Sequence, residues 1–264
     1  MTAGRLSDTR KQSVRDFWDA TPCGTVGVSQ PDGSAGFFEE IERRRYELEA
    51  FIARYAGFPK WSGKRVLEIG CGTGTDLLQF LRAGAEACGL DLSRRSAALA
   101  RKRIGLYGFD GDRVFIGDAE NLPFRWDSFD LVYSWGVLHH TPDTVKAVGE
   151  VLRVLCPGGE CCIMLYHRRS LVSLQFYLRF GLLAGRPFRS LDDIMAAHQE
   201  SPGTKVYTRS QIRSLFGGFR QVQIRTVLTP YDLPAWRGRF LPAPLRRLVP
   251  DSLGYFLVVQ GRKG

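Results

Sequence analysis

The sequence has few histidines, and its cysteines are not spaced for metal binding or for disulfide scaffolding. Among 264 residues there are four histidines and six cysteines, without paired Cys-x-x-Cys or Cys/His ligand spacing. This pattern excludes a zinc ribbon and a small disulfide-rich domain, so we expect reduced thiols and no bound metal. The cysteines are Cys23, Cys71, Cys88, Cys156, Cys161 and Cys162.

Long apolar runs are also missing. The beginning of the chain is polar and charged, without the apolar centre of a secretory signal. No uncharged apolar stretch reaches the ~18 residues that a membrane-spanning helix requires. We find no internal repeat, and 44% hydrophobic with 24% charged residues is ordinary for a globular chain. We therefore expect a cytoplasmic protein, with peripheral membrane contact as an alternative.

Acidic residues are fewer than basic residues. Lysine and arginine number 37 against 27 acidic residues, which gives a formal net charge of +10 and a pI near 9.6. Such a charge favours an anionic partner, either a nucleic acid, a phosphorylated substrate or a membrane surface, or it reflects a solvated basic face. No basic block is interleaved with aromatic residues as in an RNA-binding module, so we favour the solvated face and expect no nucleic-acid partner.

From residue 64 onward, short apolar runs alternate with helical segments. This alternation predicts βαβ units and an α/β fold with a doubly wound, mostly parallel, seven-stranded sheet. The predicted strands are 65–69, 86–91, 113–117, 129–134, 160–166, 221–228 and 255–260, and the predicted helices between them include 74–83, 94–106 and 142–155. For the last of these helices we expect a cap at Thr141 and a buried stripe of Val145, Val148, Val151, Leu152 and Leu155.

The segments outside this alternation predict two accessory regions. Helices over 7–19 and 37–56, joined by a Gly- and Pro-rich loop, predict an N-terminal helical lid at 1–60. The remaining chain, 61–264, is then the ligand-binding domain. Segments 167–205 and 229–253 interrupt it and are predicted to be insertions that cap the substrate.

A glycine-rich turn follows the first predicted strand. The strand ends in Glu68-Ile69-Gly70, so Gly72 and Gly74 lie at its carboxyl end, where a doubly wound sheet binds its ligand. Without a Cβ, glycine adopts positive φ and lets a ligand lie against the main chain. A dinucleotide site has the spacing GxGxxG, whereas Thr75 occupies the last of these positions here, which discriminates against NAD.

Two carboxylates follow the next two predicted strands. Asp91 closes the second strand, where a carboxylate can accept hydrogen bonds from both hydroxyls of a ribose. Asp118 follows the third strand, where it can accept the amino hydrogens of an adenine while the Ala119 amide reaches a ring nitrogen. The carboxyl ends of these strands converge by topology, so the turn and both acids predict one nucleoside-binding site.

The segments VLEIGCGTGTD, GLDLS, GDAENLPF, FDLVYSWGVLHHTPD and RVLCPGG together resemble the successive motifs of class I S-adenosylmethionine (SAM) dependent methyltransferases. The closer resemblance, over about 64–166, is to the methyltransferase type 11 group, which includes ubiquinone, menaquinone and natural-product methyltransferases. It implies SAM as methyl donor and S-adenosylhomocysteine (SAH) as product. The cofactor residues that it implies are Glu68, Gly70, Cys71, Gly72, Gly74, Asp91, Leu92, Asp118, Ala119 and Ser134.

The methyl group of SAM is already electrophilic, so the protein has mainly to align an acceptor and exclude water. A hydroxyl or carbon acceptor also benefits from a general base. His140 is the first candidate for that base and His167 the second, because both follow predicted strands at the ligand edge. An alternative for His139 and His140 is that they are backbone-satisfied residues ahead of the next helix.

Aromatic residues near the same edge are candidates for the acceptor pocket. Trp135, Tyr166 and His139 adjoin predicted strands four and five, and the N-terminal helices add Phe17, Trp18 and Tyr46. The alternative for the N-terminal aromatics is core packing between lid and sheet.

An apolar helix predicted at 171–184, flanked by Arg168, Arg169 and Arg186, must be buried or must meet an apolar partner. A second basic and apolar stretch runs from Trp236 to Leu248. Together they favour either a lipid-like substrate at a membrane surface or a cap with its arginines in water.

The sequence favours one function and leaves two alternatives. We expect a SAM-dependent methyltransferase that acts on a small molecule, namely a secondary metabolite, a quinone or a lipid. The first alternative is an RNA methyltransferase, which Ser134-Trp135-Gly136-Val137 disfavours because the Asn/Asp-Pro-Pro-aromatic run for a flipped base is absent. The second alternative is a SAM-binding subunit without catalysis, which the intact cofactor motifs disfavour.

Overall fold

The structure, a computed structural model, describes residues 3–233 and 248–264, with side chains from residue 8 onward. Within these ranges seven strands form one sheet in the order β3-β2-β1-β4-β5-β7-β6. The strands are β1 (Arg65–Ile69), β2 (Glu86–Asp91), β3 (Val114–Ile116), β4 (Phe129–Trp135), β5 (Leu155–Tyr166), β6 (Arg220–Val227) and β7 (Phe256–Arg262). The predicted fold class is confirmed.

The first five strands are parallel, and β7 runs antiparallel between β5 and β6. In this order the chain winds outward from β1 to β3 and then returns to place β4 on the other side of β1. The strand order therefore reverses between β1 and β4, and a ligand binds at the carboxyl edge of such a switch point.

Helices cover both faces of the sheet and its carboxyl edge. The α-helices described are α1 (Ala3–Ala20), α2 (Ala35–Leu48), α3 (Ile52–Ala56), α4 (Thr75–Arg82), α5 (Arg94–Leu106), α6 (Thr144–Val154), α7 (Leu171–Tyr177), α8 (Leu191–His198) and α9 (Arg209–Leu215). A π-helical turn, Leu178–Leu182, continues α7. Within the described ranges, no helix combines the length and the apolar character needed to cross a bilayer.

Alternation along the strands builds two apolar layers, one on each face. In β4, Leu131, Tyr133 and Trp135 join one buried cluster, and Val132 joins the other. Side chains of successive strand residues point to opposite faces, so a strand buried on both faces reads as a continuous apolar run. This run is why the parallel strands could be predicted closely.

The predicted helix over 37–56 is wrong in one respect, because it is two helices. α2 ends at Leu48, and the chain turns before α3 begins at Ile52. Glu49 lies in that turn, and its buried carboxylate accepts hydrogen bonds from Trp135 Nε1 at 3.0 Å and from the Tyr231 hydroxyl at 3.2 Å. These partners are distant in sequence, so no local sequence pattern indicated the break between α2 and α3.

The start of α6 also differs from the prediction. Asp143 caps the helix by accepting from the Lys146 amide, whereas the Thr141 hydroxyl donates to the Leu138 carbonyl oxygen. Val145 is 71% exposed and does not belong to the buried stripe, although Val148 is buried as expected. Val145 therefore lies in the first turn of α6, where its side chain points to solvent.

Candidate active site

A cavity of about 650 Å³ opens at the carboxyl edge of β1, β2 and β4. Its volume falls in the usual range for a small-molecule site. One half is bordered by the glycine turn and the acids at the strand ends, and the other half by aromatic side chains. Residues of α1 and α2 contribute to its wall, so the N-terminal helices lie over the cavity.

The glycine turn takes the conformation that its sequence predicts. Gly70, Gly72 and Gly74 have φ of 74°, 53° and 76°. A Cβ on Gly70 would lie 2.2 Å from a methyl of Val137, whereas a Cβ on Gly72 would meet nothing within 4 Å. Gly70 is therefore required for packing, and Gly72 leaves space where a ligand can approach the main chain.

Gly74 has a packing role, whereas the resemblance implied that it contacts the cofactor. It does not line the cavity, and a Cβ there would lie 3.2 Å from Cα of Ala100 in α5. Gly74 also precedes α4 as its N-cap residue. It therefore allows α4 and α5 to pack closely instead of contacting a ligand.

Asp91 is held by the main chain at the end of β2. Its carboxylate accepts hydrogen bonds from the amides of Gly72 and Ser93, both at 2.8 Å, and it borders the cavity. Burial raises the pKa of Asp91 to about 6, although the two amides oppose this shift. The carboxylate is therefore aimed at the cavity and is largely ionised at neutral pH.

Glu68 and Asp76 form a buried acidic pair at the other end of the turn. Asp76 accepts hydrogen bonds from the Arg45 guanidinium (2.6 and 3.1 Å) and from the hydroxyls of Tyr46 and Tyr133 (each 2.8 Å). Among the described residues, Glu68 Oε2 has no hydrogen-bond partner. Burial and the neighbouring Asp76 raise the pKa of Glu68 well above its usual range.

The turn after β3 is tied to helix α1. Lys11 of α1 lies 2.7 Å from both the Asp118 and the Glu120 carboxylates. At its other end, α1 places the Asp19 carboxylate 2.6 Å from the Ser93 hydroxyl at the start of α5. α1 is therefore fastened at two points beside the predicted nucleoside site. Both Asp118 and Ala119 border the cavity, as does Leu92.

The structure divides the remaining predicted site residues into two groups. Trp18, Cys71, Trp135, His140 and Tyr166 line the cavity. Phe17, Tyr46, Ser134, His139 and His167 do not line it.

Side chains of the second group make contacts away from the cavity. Phe17 packs edge-on against Trp18, with ring centroids 4.9 Å apart, and Tyr46 binds Asp76. Ser134 donates to the Ile69 carbonyl oxygen at 3.0 Å. His167 Nδ1 lies 3.0 Å from the Gly254 carbonyl oxygen, so we withdraw His167 as a candidate base.

The sequence predicted only some of the residues in the aromatic half of the cavity. Tyr231, Tyr255 and Phe256 join the predicted Trp135 and Tyr166, and α7 adds Val172 and Phe176. Tyr166 stacks on Tyr255 with centroids 4.3 Å apart.

His140 and its neighbours close one side of the cavity. His140 Nδ1 lies 2.8 Å from the Ser201 hydroxyl and 2.9 Å from the Thr204 hydroxyl, and Nε2 lies 3.2 Å from Glu200 Oε2. The Tyr166 hydroxyl donates to the same Glu200 oxygen at 2.9 Å. Both nitrogens of His140 lie near protein groups, although Nε2 has no hydrogen-bond partner in the described part of the chain. The role of His140 as a general base stays a prediction.

Two further features mark this corner as specialised. Glu200 has φ of 47°, a backbone conformation that side chains rarely adopt and that clusters at functional sites. His139 is fully buried, and neither of its ring nitrogens has a hydrogen-bond partner in the described part of the chain. Burial lowers the pKa of His139 well below its usual value, so this imidazole is neutral.

Comparison with known proteins gives a consistent result. Residues 67–163 match the type 11 family of methyltransferase domains. The phthiotriol/phenolphthiotriol dimycocerosates methyltransferase 1 of Mycobacterium ulcerans is 44% identical over 108 residues, which is 40% of this chain and 39% of the relative. The demethylmenaquinone methyltransferase of Thermobifida fusca is 32% identical over 148 residues, 56% of this chain and 61% of the relative.

A solved SAM-dependent methyltransferase from Thermotoga maritima shares the fold, with a TM-score of 0.58 and 19% identity over 95% of this chain and 100% of that one. The chain matches only 39% and 61% of the length of the two curated relatives, so the similarity identifies a domain. The sheet order, the glycine turn with its acids and the matched segment together show a methyltransferase domain of the type 11 family at residues 67–163.

Proposed function

We propose that the protein transfers the methyl group of SAM to a small, apolar acceptor by in-line displacement. The observation that carries this proposal is the continuity of the cavity. A half bordered by Glu68, Asp91 and Asp118 opens directly into a half bordered by Trp135 and Tyr166. A cofactor in the first half presents its methyl to an acceptor in the second.

In this proposal, residues at the ends of different strands contact different parts of SAM. Asp91 accepts hydrogen bonds from the ribose hydroxyls, with Leu92 beside the adenine. The Asp118 carboxylate and the Ala119 amide contact the adenine edge, and Glu68, Gly70 and Gly72 border the methionine moiety. Because the protein's task is alignment, these contacts matter through position more than through proton transfer.

The N-terminal helices act as a lid. Trp18 and Lys11 of α1 border the cavity, and the Lys11 pairing with Asp118 fastens the helix over the adenine end. Adenine must share or replace this pairing, because the Asp118 oxygens already accept from Lys11 and from the Glu120 amide. Opening of α1 therefore admits SAM, and closing excludes water from the methyl transfer.

We assign the acceptor to the lipid-like or quinone-like class. The relatives named above act on a phthiotriol lipid and on a demethylmenaquinone, and the aromatic half of the cavity offers flat, apolar walls to such molecules. α7 borders this half through Val172 and Phe176, and the opposite side of the same segment exposes leucines. We propose that this side rests on a membrane surface.

The exposed apolar residues of the segment 174–188, here called the leucine face, are Leu174, Leu178, Leu182, Leu183 and Phe188. Arg179 and Arg186 lie within the same stretch, and Arg189 follows it, so apolar and basic groups occur together. Anionic lipid attracts this combination. The predicted basic and apolar stretch from Trp236 to Leu248 lies outside the described residues except for Leu248, which is exposed.

A methyl-transfer assay tests the proposal. Purified protein with methyl-labelled SAM is expected to label naphthoquinols or phenolic lipids that carry a free hydroxyl or an activated ring carbon. The Asp91→Asn variant should lose most of the activity, and Glu86→Gln, an exposed acid at the opposite end of β2, should keep it. SAM binding without labelling of any member of a broad panel, RNA included, would favour the subunit without catalysis.

A further inference from the structure

Three potential metal ligands meet at the His140 corner of the cavity. His139, His140 and Glu200 each offer one nitrogen or oxygen atom, and these atoms lie within 4.8 Å of one another. Ligand atoms bound at about 2.1 Å lie roughly 3.0 to 3.4 Å apart in octahedral or tetrahedral geometry. The pair formed by His140 Nε2 and Glu200 Oε2 is already at 3.2 Å.

The contacts of His140 favour one tautomer of its ring. The Thr204 hydroxyl donates its hydrogen to the Ser201 carbonyl oxygen at 2.7 Å, and the Thr204 and Ser201 hydroxyl oxygens, at 2.9 and 2.8 Å from Nδ1, can both accept from it. In the tautomer with its hydrogen on Nδ1, Nε2, which has no hydrogen-bond partner in the described part of the chain, presents a lone pair to the Glu200 carboxylate. Two acceptors at this distance require a cation between them, either a proton or a metal ion.

His139 distinguishes between these two cations. Its side chain is completely buried, and both ring nitrogens lack a hydrogen-bond partner among residues 3–233 and 248–264. Leaving a buried polar group without a partner destabilises the folded protein. A proton shared by His140 and Glu200 leaves His139 in this state, whereas a metal ion uses one of its nitrogens as a ligand.

We infer that His139, His140 and Glu200 bind one divalent transition-metal ion at the acceptor side of the cavity. Two imidazoles and one carboxylate suit Mn²⁺, Fe²⁺, Co²⁺ or Zn²⁺, whereas Mg²⁺ and Ca²⁺ prefer sets made of oxygen ligands. The Ser201 and Thr204 hydroxyls orient His140 in the way that outer-shell partners orient metal-bound histidines. His140 and Glu200 border the cavity, so remaining coordination positions face the acceptor.

The role of the ion rests on the proposed methyl transfer, although its binding does not. For a hydroxyl acceptor, coordination lowers the pKa of the hydroxyl, and its proton leaves to water. The oxygen attacks the methyl carbon of SAM, the carbon–sulfur bond breaks, and its electron pair remains on sulfur to give SAH. In this arrangement His140 is a ligand, and the general base that the sequence suggested is not required.

Cobalt binding tests the inference without an activity assay. The full chain, freed of metal by a chelator, is titrated with Co²⁺ while its visible absorption is recorded. We expect one saturating equivalent, displaced by Zn²⁺ and unaffected by Mg²⁺. Glu200→Gln and His139→Ala should each weaken Co²⁺ binding about 100-fold or more, because even outer-shell substitutions cost 10- to 100-fold.

A matched control is His198→Ala, because His198 lies at the end of α8 and stacks on Phe180 away from the cluster. It should bind Co²⁺ as the unchanged protein does. Glu200 is exposed, so Glu200→Gln should fold even where removal of the buried His139 does not. No saturable band in the unchanged protein, or equal affinity in Glu200→Gln, would overturn the site. SAH binding, measured on the same samples, tests the proposed function separately.

Discussion

At the scale of single residues, the half of the cavity that we propose for the cofactor contains the buried carboxylates of Glu68 and Asp91. Asp91 is the clearest case, because two amides hold it in place while burial raises its pKa to about 6. Relative to the usual value of 3.8, this shift costs about 3 kcal/mol when the carboxylate is ionised. Because the folded pKa exceeds the unfolded one, this contribution lowers stability as pH rises from about 4 to 6 and stays constant above.

A ribose that donates two hydrogen bonds requires ionised Asp91. We therefore predict that SAH affinity is constant above pH 7 and falls below pH 6, to about one tenth at pH 5. Calorimetry between pH 5 and 8 measures this, since SAH has no group that titrates in that range. Asp91→Asn should bind weakly and with no such dependence, and Glu86→Gln should follow the unchanged protein. A flat profile for the unchanged protein would remove Asp91 from the ribose contact.

The sequence predicted those site residues that belong to a local motif. Gly70, Gly72, Asp91 and Asp118 follow strand ends, so their position was fixed once the strands were found. Glu200 follows α8, about 60 residues after His140 in the chain. Only folding brings its carboxylate close to His140. For this reason the sequence did not indicate that Glu200 lies beside His139 and His140.

At the scale of elements, the strands were predicted most closely. β1 and β2 begin and end at the predicted residues, because both are buried runs bounded by turns. Boundaries set by tertiary contacts were missed. β5 begins at Leu155 and passes through Pro157 to Gly159, where the sequence indicated a break, because the chain pairs there with Phe129 across a register shift.

The two faces of α6 supply a stability prediction. Val148 is buried and Val145 is 71% exposed, although the sequence placed both in one stripe. Val148→Ala should lower the free energy of unfolding by about 1 to 3 kcal/mol, and Val145→Ala should change it by less than about 0.5 kcal/mol. Urea denaturation compares the two variants, and similar losses would contradict the orientation of α6.

The fastening of α1 supplies a prediction about the lid. Lys11→Met removes the cation that pairs with Asp118 and Glu120. Amide hydrogen exchange of residues 8–20 should rise several-fold while exchange in β1 and β4 is unchanged, and SAH should dissociate faster. Arg43→Met, which breaks an exposed pair with Glu47 on α2, is the control. Unchanged exchange in α1 would show that Lys11 does not hold the lid.

At the scale of the whole molecule, a basic protein exposes an apolar segment beside the acceptor half of its cavity. Sedimentation with vesicles at physiological salt should show binding to anionic lipid and little binding to neutral lipid. Leu183→Glu, in the leucine face, should reduce the bound fraction at least several-fold. Leu106→Glu, at an exposed leucine at the end of α5, should not. No binding to anionic vesicles would reject the membrane surface and leave the cavity unaffected.

The central claim is that the carboxyl edge of this sheet binds SAM and not a dinucleotide. Calorimetry of the full chain at pH 7.5 with SAH and with NAD⁺ tests it most directly. The spacing of Gly70 and Gly72 with Thr75, together with Asp91 and Asp118, predicts one equivalent of SAH bound with micromolar or tighter affinity and no measurable NAD⁺ binding. Folded protein that binds NAD⁺ in preference, or that fails to bind SAH, would contradict the claim.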